Sequence, residues 1–301
     1  MTEPYFPVAF DSSIMATGKA CPQKLFLTHF EDWKPREPNV HLHAGGAFAH
    51  AMKCGREAFF VDGLDQETSV AKAMGGLVAF YGDFECPSDS AKSLERMIGA
   101  VEFYFANYPL EHGVSEPILM PDGRRGIEFS ASSPLPVLHP VSGDPILYCG
   151  RMDAILEYAR ANYVTDEKTT TSLGPTWSQK WDLRSQFTGY AWLCKQYGIE
   201  VAGSIVRGIS ILKTKYDTQQ AIIYHPPWQL ERWLSDTCDW LEDFIRMWKR
   251  KYFRHALDDA CADFGGCGYR GVCSSPDKGP WLETSFERRR WNPVIHQEVK
   301  V

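Results

Sequence analysis

No run of apolar residues in this 301-residue chain is long enough to cross a bilayer, so no membrane-spanning helix and no membrane partner are expected. The opening residues, MTEPYFPVAFDSS, lack the basic-then-apolar pattern of a secretory signal, and a cytoplasmic location is the expectation. Internal repeats and low-complexity linkers are missing too. Paired C-x2-4-C hooks, the usual sign of structural zinc, are absent despite nine cysteines. In a reducing compartment those nine do not read as a disulfide framework. Basic charge is not in excess: 32 Lys and Arg face 38 Asp and Glu, a net charge of −6. That argues against a general electrostatic coat for nucleic acid, though a local basic groove stays open. What is present is a globular composition, 44% hydrophobic and 23% charged, long enough for a sizeable core.

The most telling stretch is YCGRMDAILEYARANYVTDEKTT, Tyr148 to Thr170. It reads as two strands joined by a tight turn near Arg160. Side chains alternate along a strand, so Asp166 and Lys168 share one face and Glu167 points to the other. The turn brings Asp153 opposite Asp166 or one diagonal step away, with Cβ atoms roughly 4.5–5.5 Å apart if directly opposed. Two carboxylates at that spacing suit a hard divalent cation, Mg2+ or Mn2+. A lysine beside them orients or deprotonates water, or holds a phosphate. Together they are equipment for metal-assisted hydrolysis of a phosphodiester. A solvent-facing hairpin with scattered charges is the plainer reading. Asp and Lys are poor strand formers, however, so their presence among apolar residues needs a reason.

Around the hairpin, His41 to Phe60 reads as a glycine-led helix carrying His50, and Ser88–Tyr108 as another. Lys34–Pro38 and Pro134–Pro145 read as connections. Trp177–Tyr197 reads as an amphipathic helix ended by Gly198 at C′. On it Gln186 and Tyr190, four apart, share a face. Val201–Lys213 and Gln219–His225 read as strands, and Pro226-Pro227 opens a long helix whose Trp233, Leu234, Leu241, Phe244, Ile245 and Trp248 recur at helical spacing. Helices before, between and after strands predict an α/β fold with a mixed sheet. Two basic clusters read as a helix C-terminus (Arg246, Lys249, Arg250, Lys251, Arg254) and a solvated tail (Arg288, Arg289, Arg290).

Near the C-terminus, Cys261, Cys267 and Cys273 recur at equal gaps in a glycine-rich loop. Buried free thiols, structural Zn2+ and an iron–sulfur cluster are all open readings. Cys21, followed by proline at a helix start, is the best fourth ligand. Cys54, Cys86, Cys149, Cys194 and Cys238 lie in apolar patterns and read as core thiols.

The ordered set is an N-terminal Cys, G-x3-H, G-x2-D, D-x-K, Q-x3-Y and a C-terminal three-cysteine cluster. It resembles the RecB-like branch of the PD-(D/E)xK nuclease superfamily, above all its iron–sulfur members: the AddB-type nuclease domain, the CRISPR-associated RecB-like exonucleases, and phage recombination exonucleases. The resemblance runs from Cys21 to Cys273. It implies a restriction-endonuclease-like mixed sheet flanked by helices, in one nuclease domain over residues 1–301. The core would be about 40–225, a helix and cysteine clasp about 226–275, and a tail 276–301. It implies a metal at His50, Asp153 and Asp166, with the Glu167 carbonyl as a further ligand, and Lys168 acting on the water. Gln186 and Tyr190 would contact DNA or steady the site. Glu128, on a strand before the hairpin, and less favourably Glu116, would lend a further carboxylate. A 4Fe-4S cluster on Cys21, Cys261, Cys267 and Cys273 would clasp the two ends of the chain.

The activity implied is a Mg2+/Mn2+-dependent DNA exonuclease of recombination, repair or phage DNA processing, acting on single strands or duplex ends, with a recombination or annealing protein as possible partner. A structure-specific endonuclease, a non-catalytic DNA-binding or assembly factor and a zinc-stapled scaffold are the alternatives. The cysteine spacing departs from the C-x2-C of several relatives.

Overall fold

The computed structural model describes residues 5–37, 39–111, 115–262 and 266–300. Pro38 of the expected connection and Asp263 to Gly265 of the cysteine loop lie outside them. In chain order the elements are β1 (Ala9–Phe10), α1 (Ser12–Ala20), α2 (Pro22–Leu25), a π-helical turn (Phe26–Phe30), β2 (Trp33–Pro35), α3 (Val40–Phe60), α4 (Gln66–Tyr81), α5 (Leu94–Asn107) and β3 (Glu116–Pro117). There follow β4 (Ile127–Leu138), β5 (Pro145–Tyr158), β6 (Ala161–Thr170), α6 (Pro175–Gln179), α7 (Ser185–Gln196), β7 (Gly203–Ile211), β8 (Tyr216–Tyr224) and α8 (Pro227–Lys249). Last come α9 (Asp259–Ala262), α10 (Arg270–Ser274), α11 (Gly279–Ser285), β9 (Phe286–Asn292) and β10 (Gln297–Lys300). The mixed sheet expected from sequence is present, with strand order β1-β5-β6-β7-β8 and both β3 and β4 on β5. Among the described residues no helix is long and apolar enough to cross a membrane.

The chain divides into two compact units. One comprises Met1–Pro38, Ser130–Gly150 and Glu231–Val301; the other comprises Asn39–Phe129 and Arg151–Leu230. In the second unit β5 and β6 form the expected hairpin, from Tyr158↔Ala161 to Ala154↔Thr165. Its two loop residues, Ala159 and Arg160, have φ of 50° and 65°. A two-residue turn whose twist matches its strands needs such angles, here without glycine. β6 runs parallel to β7 from Tyr163↔Gly203 to Thr170↔Ser210, and β7 antiparallel to β8. Every residue of β7 is buried, as on a central strand covered on both faces, so its Ser204, Arg207 and Ser210 are buried along with its apolar residues.

Three helices pack in this unit. Asn39 caps α3, its side chain accepting from the amides of His41 and Leu42. Asp65 caps α4 and Ser93 caps α5 in the same way. Ala44, Ala47, Phe48, Ala51 and Met52 of α3, Ala73 and Leu77 of α4, and Met97, Val101 and Tyr104 of α5 make one core with Ile209 and Ile211 of β7. A Cβ at Gly55 would lie 2.9 Å from the Phe105 ring and 3.1 Å from Ala73 Cβ, so α3 is drawn close to its neighbours there.

The expected Trp177–Tyr197 helix is split into α6 and α7, and Gly198 stands at the expected position with φ 70°. α4 had no counterpart in the sequence reading. The expected loop over Pro134–Pro145 holds at His139 to Asp144, but its first five residues are the end of β4: Leu135 and Val137 are buried while Pro134 and Pro136 face out. Among the described residues β4 pairs only with β5, and an edge strand tolerates proline because no partner needs its N–H.

His225, after β8, is 7% exposed, and its Nε2 lies 2.9 Å from Ser204 Oγ. Burial lowers its pKa to about 4, against a smaller opposite effect of a hydrogen bond with Gln229. The folded state thus disfavours the charged ring. Stability from this group is complete above the ordinary histidine value and is lost as pH falls from about 6.5 to 4. Urea titrations at pH 7 and pH 5 should show a loss of ~2 kcal/mol that His225→Gln removes. An unchanged pH dependence in the variant would refute this assignment.

In the first unit Leu27, Tyr269, Val272 and Phe286 form a small core. Tyr269 OH donates to the Trp33 carbonyl at 2.5 Å and accepts from Thr28 Oγ1 at 2.9 Å. The expected tail after residue 276 is structured: β9 pairs with β2 and with β10. Its arginines are engaged, Arg290 with Asp32, Arg289 with Glu287 and Glu298, and Arg288 over the Trp33 ring.

Candidate active site

The ladder between β5 and β6 ends at Ala154↔Thr165. One step further the same register would set Asp153 opposite Asp166. There the Glu167 amide donates instead to Asp153 Oδ2 at 3.0 Å. A side chain takes the place of the next backbone partner at the point where the two aspartates meet. Asp166 is 2% exposed and Asp153 half-buried. Burial raises the Asp153 pKa well above the usual carboxylate range, and the charges of Asp166 and Glu167 raise it further. Burial also raises that of Asp166, although Lys168 opposes the shift.

Lys168 Nζ lies 2.5 Å from Asp166 Oδ1, with its side chain 32% exposed. Burial works against its charge, but Asp166 and Asp153 outweigh this and raise its pKa, so it is an ammonium. From the first turn of α7, Gln186 Nε2 donates to Asp166 Oδ2 at 3.2 Å and to Tyr190 OH at 3.0 Å. The shared face read from the four-residue spacing is therefore real, and it is turned to the aspartate.

Glu167 points the other way, as the strand period requires, but not into solvent. Arg56 of α3 forms a bidentate ion pair with it, and Tyr104 of α5 donates to its Oε1 at 2.9 Å. Burial would raise the Glu167 pKa, yet Arg56 and Arg207 hold it below the usual range. Sequence reasoning missed Arg56 and Tyr104. A signal existed: Phe48, Met52 and Arg56 recur every four residues on the buried stripe of α3, and a charge there needs a partner.

His50 lies with its Nε2 3.5 Å from Cys54 Sγ and its ring against Phe80. Glu128, at the start of β4 with φ 49°, is ion-paired to Arg151 at 3.2 Å. Glu116 is exposed on β3. Among the described residues no three His, Cys, Asp or Glu side chains are gathered as a single ion would need.

In the first unit Cys21, Cys261, Cys267 and Cys273 line one cavity of about 330 Å³, with Lys24, His255 and Arg270 on the same wall. Cys21 is the N-cap of α2, and Pro22 occupies the first helical position. Burial pushes the Cys273 thiol up, and Cys267, Cys21 and Cys261 add to it in that order. Of the remaining cysteines only Cys149 and Cys194 are buried; Cys54, Cys86 and Cys238 are partly exposed, which corrects their reading as core thiols.

No family model and no curated protein matches the sequence. Among solved structures, a candidate exonuclease from Eubacterium rectale shares the fold, with a TM-score of 0.52 at 13% identity over 83% of this chain and 86% of that one. At that identity the likeness speaks for the fold alone. The protein SSO0001, at 13% identity over 66% of this chain and 74% of its own, has a TM-score of 0.29, too low to bear on the fold.

Proposed function

We propose that the chain is a metal-dependent DNA exonuclease of the RecB-like PD-(D/E)xK type. The observation that carries the reading is the Asp153–Asp166 pair with the Lys168 ammonium on one strand face, where the hairpin ladder gives way. The fold shared with a candidate exonuclease supports it. The donor set fits Mg2+ or Mn2+. Two adjacent carboxylates, raised in pKa by burial and by like charge, are relieved by a cation that takes oxygen donors. Such an ion supplies Lewis-acid polarisation of a phosphate and acidifies bound water.

The chain's own residues do the rest. Asp153 and Asp166 offer oxygens, and the Glu167 carbonyl is the third donor we propose. Lys168, held cationic, stabilises charge on the phosphate oxygens rather than removing a proton. Gln186 fixes the Asp166 carboxylate, and Tyr190 fixes Gln186. His50 and Glu128 would have to exchange their present partners, Cys54 and Arg151, to join the ligand set. The test is release of nucleotides from 5′- and 3′-labelled single- and double-stranded DNA, with and without Mn2+. No metal-dependent release from any of them would end the proposal.

The four thiols around one cavity support a second element of the reading, a structural 4Fe-4S cluster on Cys21, Cys261, Cys267 and Cys273. A lone zinc ion needs its donors at about 2.3 Å from one point. Four thiols on one cavity suit zinc or an iron–sulfur cluster alike, and the cluster is the group that the resemblance implies. Anaerobically purified protein should be brown and contain iron and acid-labile sulfide, and Cys267→Ser should lower both. Stoichiometric zinc without iron would replace the cluster by the alternative metal.

A further inference from the structure

Half of the basic residues flagged by the sequence are neutralised by ion pairs. Arg246 and Arg254 meet Asp243, and Arg289 and Arg290 meet Glu287, Glu298 and Asp32. Two further cations stand beside the candidate site. Lys180 and Arg184 flank the loop between α6 and α7, and both are exposed. Among the described residues neither has an ion pair. Asp182, between them, is exposed and joins neither.

The loop is seated on the Asp166–Lys168 face. Trp177 of α6 lies against Gly208 of β7, where a Cβ would come within 2.3 Å of the indole. Gly208 is the register partner of Lys168, and neighbouring positions across a parallel ladder share a face. Trp177 therefore lies alongside Lys168. Lys180 Nζ stands 4.4 Å over the Trp181 ring and 5.7 Å over that of Trp177. Arg184 is the N-cap of α7, two residues before the Gln186 that reaches Asp166. Lys180 is thus held at the edge of the candidate site, and the start of α7 places Arg184 beside it. Their mutual effect is felt: burial lowers the Lys180 pKa, and Arg184 and then Lys168 lower it further. Like charges held together without a counter-charge are a cost that an anion removes.

We propose that Lys180 and Arg184 bind a backbone phosphate of the nucleic-acid strand next to the one presented to Asp153, Asp166 and Lys168. The identity of the anion rests on the nuclease reading above. Leu183, 86% exposed at the tip of the same loop, would lie against the sugar or base of that nucleotide.

The experiment is fluorescence anisotropy of a labelled single-stranded oligonucleotide with the full chain in EDTA, across a salt series. Lys180→Ala and Arg184→Ala should each weaken binding several-fold and each reduce the slope of log affinity against log salt by about 0.7, with the double variant losing about 1.4. Lys180→Arg should retain the slope. Arg250→Ala, an equal charge change at an exposed position after α8, should leave it nearly unchanged. Unchanged slopes at Lys180 and Arg184, or an equal drop in Arg250→Ala, would overturn the proposal. The two readings fail separately. A reduced slope with an Asp166→Ala protein that still cleaves DNA leaves the phosphate site standing and removes the catalytic assignment. Unchanged slopes with a dead Asp166→Ala protein do the reverse.

Discussion

Asp166→Ala should reduce DNA hydrolysis in Mn2+ to background, a loss of about 10³-fold or more, because the two carboxylates and the lysine act as a unit. The protein should nonetheless stay folded. Asp166 sits against Asp153 with no cation between them except the half-exposed Lys168, so its removal relieves repulsion in metal-free protein. The pH dependence tests the same point. A carboxyl whose folded pKa is raised contributes stability that is complete below the ordinary carboxylate range and is lost as pH rises through the raised value. In EDTA the parent should lose thermal stability as pH rises above about 4, and Asp166→Ala should lose less. Nucleotide release with Mn2+ and melting curves in EDTA check both halves. Retained cleavage would remove Asp166 from the site; collapse of the fold would show that its ion pair with Lys168 outweighs the repulsion.

The parts of this site legible in the sequence were those governed by a short period. Two residues per strand repeat put Asp166 and Lys168 on one face and Glu167 on the other. Four residues per helical step brought Gln186 and Tyr190 together. The hairpin was legible from its two apolar arms, although its turn, Ala159-Arg160, carries neither of the residues that usually mark one. Where the physical cause lay across the chain, the sequence was mute. For Glu167 only the opposite face was legible, because nothing local names Arg56, 111 positions away, as its partner. The prolines of β4 read as loop because being an edge strand is a property of the sheet, not of the segment. Arg288 and Arg290 read as a solvated tail because their partners, Trp33 and Asp32, come from the other end of the chain. The cysteine set was legible as a list. That all four line one cavity, with Tyr269 on its wall bonded to Thr28 and Trp33, is a tertiary fact.

Arg56→Ala should be the most destabilising single change in the second unit. Its guanidinium is 4% exposed and held charged: burial opposes the charge, while Glu167 and Tyr104 raise its pKa despite that. Removing it leaves the Glu167 carboxylate buried with only the Tyr104 hydroxyl and the field of Arg207. Breaking one side of a buried pair costs about 3–5 kcal/mol, because the remaining charge is uncompensated. For a unit of this size the melting temperature should fall on the order of 10 °C. Glu167→Gln should cost less, since the amide still accepts a hydrogen bond from Arg56, but it will not be silent. The Arg56→Met, Glu167→Met double variant should recover much of the loss, since neither charge then remains unpaired. Activity should follow a different order. The Glu167 amide holds the Asp153 carboxylate, so a shift of β6 at Glu167 loosens the acidic pair directly. The double variant should therefore regain stability without regaining full turnover. Stability measured by urea and turnover at saturating DNA, taken on the same three proteins, separate the two roles. If turnover tracks stability in all three, the pair is structural only and Asp153 is positioned by other means.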